Sequence, residues 1–116
     1  SKLADFILKV NADAYSLEGA NPRHEHEWQV WADADIPAYK VLAPGLIDTC
    51  SNYVEHPELI AQRIGRFVDI VGPDHVVAST DCGFGTFAGY GKLDPLVTRK
   101  KLQALRAGAD LAGERV

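Results

Sequence analysis

This chain has no long hydrophobic run, no block of lysine or arginine, and only two cysteines. Each absence excludes something. A membrane helix needs roughly 18 or more consecutive apolar residues, and no run here approaches that length. No signal-peptide pattern opens the chain. A formal net charge of −4 without a basic cluster argues against nucleic acid or an anionic membrane as the main partner. Cys50 and Cys82 are too few for a disulfide framework, so the expected compartment is a reducing cytosol. What is present, 47% hydrophobic and 24% charged residues in 116, suits a globular segment of about one domain. The opening "SKLADFILKV" lacks a Met and begins inside a helical pattern, as expected of a piece of a longer chain.

Periodicity organises the rest. Leu3, Phe6, Ile7 and Val10 recur at helical spacing, which predicts an opening amphipathic helix. "DAYSLEGA" (13–20) reads as a short strand. "NPRHEHEWQVWAD" reads as a helix with Asn21 as N-cap and Pro22 in its first turn. "KVLAPGLID" (40–48) is a second strand, made irregular by Pro44 and Gly45. Pro57 opens a helix whose stripe is Ile60, Ile64, Phe67, Val68 and Val71, and Gly72-Pro73 stops it. "HVVAST" (75–80) is β-branched and hardly alternates, as a strand buried on both faces should be. The last helix starts at Asp94-Pro95, with Leu102, Leu105, Ala109 and Ala112 expected on its inner face.

A helix followed by three strand–helix units predicts parallel strands with crossover helices. Glu18, Asp48 and the pair Asp81/Cys82 each fall at the C-terminal end of a strand. Their spacings, 48 − 18 = 30 and 82 − 48 = 34, are each about one βα unit, so one rim of the sheet receives them all. In α/β folds that rim carries the chemistry. Three parallel strands close nothing alone, and a full eightfold barrel takes roughly 250 residues. The expected fold is therefore α/β: residues 1–116 as the C-terminal part of a TIM (β/α)8 barrel, strands six to eight, completed by an upstream remainder.

Cysteine sulfur and glutamate oxygen are both accepted zinc ligands, which makes Glu18 and Cys82 candidates for one metal site. The plain alternative is a small buried Cys82 and a Glu18 engaged in an ion pair. His24 and His26, two apart on a predicted helix, point to different faces and read as helix-start histidines near solvent. His56 and His75 suit capping or loop roles, and Trp28 and Trp31 suit a packed helix face. Cys50 is either a rim thiol or packing. Gly83-x-Gly85-x-x-Ala88 matches a dinucleotide fingerprint, but no helix follows directly and no strand carries the required acid; a glycine-rich active-site loop fits better.

"SLEGANPRHEHEW", "PGLIDTCSNYVEHPELIAQRI" and "ASTDCGFGTFAG" together resemble the C-terminal catalytic barrel of cobalamin-independent methionine synthases, in particular the shorter bacterial and archaeal relatives. The resemblance covers nearly the whole chain. It implies zinc-dependent methyl transfer from methyl-tetrahydrofolate, as the polyglutamate, to homocysteine. Of the family's zinc ligands, the glutamate falls on Glu18 and the last cysteine on Cys82, while a His-x-Cys pair would lie upstream of Ser1. The large enzymes carry a proton-donating histidine two residues after the aspartate that matches Asp48. Cys50 stands there instead, so Asp48, Cys50 and nearby His56 are the candidate catalytic groups, with Asp81 orienting substrate or a neighbouring group. A related zinc chemistry, opening of an epoxide by coenzyme M, is the enzymatic alternative. A catalytically inactive structural or binding piece is the non-enzymatic one.

Overall fold

The structure is a computed structural model that describes residues 2–85 and 93–116. Among the described residues four α-helices accompany a small parallel sheet, α4 packing on α3: α1 (Lys2–Ile7), β1 (Ala14–Leu17), α2 (Trp28–Ala32), β2 (Val41–Pro44), α3 (Pro57–Val71) and α4 (Pro95–Glu114). β1 and β2 pair in parallel, Ala14 opposite Val41 and Leu17 opposite Pro44. The predicted third strand is an extended segment held by two parallel bridges, Leu42 to Val76 and Gly45 to Ser79. Pro73–His75 form a 3-10 turn, so this segment begins after His75. It is not buried on both faces either, since Val77 is 54% exposed.

β2 is therefore the middle of three parallel runs, and pairing continues past its end. Gly45 N donates to Leu17 O at 2.7 Å, Leu46 N to Ser79 O at 2.9 Å, and Asp81 N to Ile47 O at 3.0 Å. Pro44, having no N–H to offer, stands at the last position of β2, and its carbonyl accepts from Ser79 N at 3.3 Å. Gly45 is required by crowding: a Cβ there would lie 2.0 Å from Asp81 Oδ1 and 2.8 Å from the Asp81 backbone. The irregular Pro-Gly pair is thus where the third run comes close enough to deliver Asp81.

α3 follows its predicted stripe. His56 is extended (φ −69°, ψ 136°) and caps it, its Nδ1 accepting from Glu58 N at 3.1 Å. Pro57 occupies the first turn, and Gly72 ends the helix at φ 88°, a conformation that costs glycine little. Ile60, Ile64 and Ala61 pack with Leu46, Ile47, Ala104 and Ala112 in one core; Tyr15, Trp31, Leu42, Phe67 and Ala4 form a second. Trp31 is buried and Trp28 packs beside it, as their spacing suggested.

Three expectations shift. α1 stops at Ile7, leaving Val10 exposed, where Val10 O accepts a hydrogen bond from the Tyr15 hydroxyl at 2.7 Å. The "NPRHEHEW" stretch is not yet α-helix: Asn21 O takes the amides of His24 and Glu25, Glu25–Glu27 form a 3-10 turn, and α2 begins only at Trp28. In α4 the buried positions are Lys101, Ala104, Gly108 and Ala112, while Leu102 is 47% exposed. A charged residue displaces the predicted leucine because Lys101 finds an ionic partner inside.

Candidate metal centre

The parallel pairing sets the β1, β2 and 76–81 ends side by side, and a cleft of about 370 Å³ opens there, lined among others by Glu18, Arg23, Asp48, Cys50, Asp81 and Cys82. Cys82 Sγ donates to Glu18 Oε1 at 2.5 Å, across 64 residues of sequence. Cys82 is exposed, so the alternative of a small buried hydrophobe is excluded; Glu18 does form an ion pair, but it faces the thiol as well. Without metal the thiol is pushed up to about 11, first by its hydrogen bond to Glu18, then by burial and by the Glu18 and Asp81 charges. A cation in place of that shared proton would reverse the preference, because thiolate and carboxylate are both ligands.

Asp81 is fully engaged. Oδ1 accepts from Gly19 N (2.9 Å) and Ala20 N (3.0 Å), while Oδ2 accepts from Asn21 N (2.8 Å) and Asn21 Nδ2 (2.9 Å). One carboxylate thus binds the chain that follows β1 to the chain that precedes Cys82, fixing Glu18 and Cys82 side by side on the rim. Glu18 Oε2 is held in turn by Asn21 Nδ2 at 3.0 Å and lies 3.3 Å from His24 Nε2. His24 Nδ1 lies 2.9 Å from Glu27 Oε1. The imidazole pKa is raised above its ordinary value, chiefly by the Glu27 hydrogen bond, with the Glu27, Glu18 and Asp81 charges adding to it against desolvation.

Asp48 is buried, its Oδ1 accepting from Cys50 N at 2.9 Å. Cys50 is exposed, a rim thiol. Beneath them lies a pair absent from the sequence-derived candidates. Lys101 Nζ donates to Glu55 Oε1 (2.7 Å) and to Asp48 O (3.0 Å), and Asp48 N donates to Glu55 Oε2 (2.7 Å). Arg63, also buried, donates to Leu46 O at 3.1 Å and to Glu25 Oε1 at 3.0 Å, tying α3 to the turn before α2. The structure thus brings Glu18, Asp48, Cys50, Asp81 and Cys82 to one cleft, while His56 serves as the α3 cap and is not among the cleft-lining residues. The candidate glycine loop falls partly outside the described residues, which end at Gly85 and resume at Leu93.

Among the described residues no group of three or more His, Cys, Asp or Glu is arranged to hold a metal. The donor types suit half of one: a soft sulfur and a hard oxygen, both accepted zinc ligands, face each other, and to share an ion at zinc's bond lengths they would part to roughly 3.5 Å.

Sequence comparison decides the family. The profile described as the catalytic domain of cobalamin-independent synthases matches residues 1–103. The chain belongs to that family. A solved structure of a B12-independent methionine synthase from Shewanella sp. W3-18-1, in complex with selenomethionine, aligns with a TM-score of 0.76 and 27% identity over 96% of this chain. The chain spans 29% of that protein's length. No curated protein matches the chain.

His24, Asn21, Glu55 and Lys101 are what sequence reasoning missed. For the first two a signal existed. Glu18, Asn21, His24 and Glu27 are spaced by three, and side chains at i and i+3 eclipse in 3-10-like turns. His26, off this row, is exposed.

Proposed function

We propose that this chain is the C-terminal part of a (β/α)8 barrel, contributing strands six to eight, that transfers a methyl group from methyl-tetrahydrofolate to homocysteine with zinc as its metal. One observation carries the proposal: Cys82 and Glu18 put thiol and carboxylate 2.5 Å apart at the C-terminal end of parallel strands, inside a cleft shared with Asp48 and Cys50. Glu18 and Cys82 would hold the ion, with two further donors supplied by barrel strands upstream. Zinc bound there keeps the acceptor thiol deprotonated and nucleophilic at neutral pH.

The chain's own residues do the rest. The acceptor sulfur forms its bond to the methyl carbon as the carbon–nitrogen bond to the folate breaks, and the electron pair left on nitrogen takes a proton. Asp48, Cys50 and His56 are the groups proposed to supply that proton. Cys50 lines the cleft, whereas His56 caps α3 through Nδ1 and is not among the cleft-lining residues. Asp81 holds residues 19–21 in place, so that Glu18 stays aimed at Cys82. Thiol alkylation by an epoxide is a second reading, which the cleft accommodates without preferring it: Arg23 is the one cation among its described lining residues. It suits the sulfonate of coenzyme M as well as a carboxylate.

Metal analysis of the full-length protein tests the proposal. About one zinc per chain is expected, lost in Cys82→Ser. Methionine formation dependent on homocysteine then selects between the two acceptors. Undiminished zinc in Cys82→Ser overturns the assignment.

A further inference from the structure

Glu18 has two oxygens, and the structure treats them differently. Oε1 faces Cys82 Sγ. Oε2 accepts from Asn21 Nδ2 at 3.0 Å and lies 3.3 Å from His24 Nε2. Behind His24, Glu27 Oε1 lies 2.9 Å from Nδ1. Asn21, His24 and Glu27 line up beside Glu18 because the chain turns after Asn21, whose carbonyl takes the His24 and Glu25 amides, and enters a 3-10 turn at Glu25–Glu27, so every third side chain falls on one side. The row is itself anchored: Asp81 grips the Asn21 amide and side chain, and Arg63 holds Glu25.

We infer that His24 is a positioning residue for the metal site: it lies 3.3 Å from Oε2 of Glu18, the oxygen Asn21 also holds, leaving Oε1 as the single oxygen offered to an ion shared with Cys82. Glu27 holds the imidazole at its far nitrogen, so the ring cannot turn away. An unrestrained glutamate side chain samples several rotamers and can bind through either oxygen or both. Two partners on one oxygen remove that freedom before the ion arrives, the general role of groups that orient metal ligands. This inference rests on the zinc site proposed above and adds to it a residue and a binding mode.

The test is zinc affinity of the full-length protein, measured by competition with a chromophoric chelator, alongside cobalt(II) substitution. His24→Ala is expected to weaken zinc binding by about 10- to 100-fold while the sulfur-to-cobalt charge-transfer band persists. His24→Gln, which keeps a side-chain N–H, is expected to recover part of the loss. Glu27→Ala, acting one step further out, should show a smaller loss and serves if the His24 variants fail to fold. Affinity unchanged in both His24→Ala and Glu27→Ala overturns the inference. So does a cobalt spectrum that loses a nitrogen ligand in His24→Ala, which would make His24 a direct ligand. If Cys82→Ser and Glu18→Gln also retain full zinc affinity, the metal site itself is wrong and the inference falls with it. If those two lose zinc and His24→Ala does not, only the positioning role fails.

Discussion

Lys101 Nζ lies 2.7 Å from Glu55 Oε1, and neither side chain is exposed to solvent. The pair brackets Asp48 from both sides of its peptide, Glu55 accepting from Asp48 N and Lys101 donating to Asp48 O. Its consequence is asymmetric. Removing one partner leaves an uncompensated buried charge, at a cost of about 3–5 kcal/mol. Lys101→Met and Glu55→Gln are each expected to lower stability to urea by that order. The double variant should be destabilised by less than the sum, since no lone charge remains. Additive losses would show that the two side chains do not interact.

Gly45→Ala should disturb stability and site together. Its Cβ would meet the Asp81 backbone at 2.8 Å as well as the carboxylate, so the 76–81 run must move. Overpacking of this kind costs about 1–3 kcal/mol, occasionally more. Because Asp81 also anchors residues 19–21, zinc content of the full-length protein is expected to fall in the same variant. A stability loss with unaltered zinc binding would separate the two roles of Asp81.

Asp81→Ala removes an acceptor of four hydrogen bonds. Amides that stay unpaired and shielded from water cost about 1–3 kcal/mol each, and half-buried ones can recover part of that from solvent. A net loss of about 2–4 kcal/mol in denaturant titration is expected, with Asp81→Asn falling between it and the parent chain. No loss at all would mean that the 19–21 segment is held by something else.

The Cys82 thiol, raised to about 11 chiefly by its hydrogen bond to Glu18, gives the metal-free protein a pH signature. A folded value above the ordinary one means that the protonated thiol is favoured on folding. The contribution is complete below the ordinary thiol range near 9 and disappears as pH rises through about 11. Alkylation at Cys82, followed by peptide mass, should climb about tenfold per pH unit well past neutrality and level off only near 11. Glu18→Gln should move the inflection down, and zinc should protect the thiol. An inflection near 9 in the parent chain would refute the contact.

Residues 1–116 alone should bind zinc weakly and show no turnover, since the two proposed donors, Glu18 and Cys82, are fewer than a structural or catalytic zinc takes. Equilibrium dialysis and an activity assay check this, with the full-length protein as the comparison. Tight stoichiometric zinc in the isolated chain would call for donors beyond those proposed.

Local pattern and chain length determined much of this protein. The α3 stripe at Ile60, Ile64 and Phe67, the proline-led helix starts at Pro57 and Pro95, and the roughly 30-residue strand spacing all rest on interactions among near neighbours or on the length of one βα unit. That spacing alone was enough to set Glu18, Asp48 and Cys82 on one rim, because parallel strands must end on the same side. Tertiary structure decided what the spacing could not. Lys101 is buried only because Glu55, from a different segment, meets it there; no helical periodicity signals a lysine facing inward. Asp81 became an anchor rather than a free carboxylate because the amides of residues 19–21 converge on it from 60 positions away. His24 joined the site because the turn after Asn21 brings its ring to within 3.3 Å of Glu18, which a spacing of three does not fix by itself. Charges inside a protein are placed by partners distant in sequence, and only the folded chain brings those partners within reach.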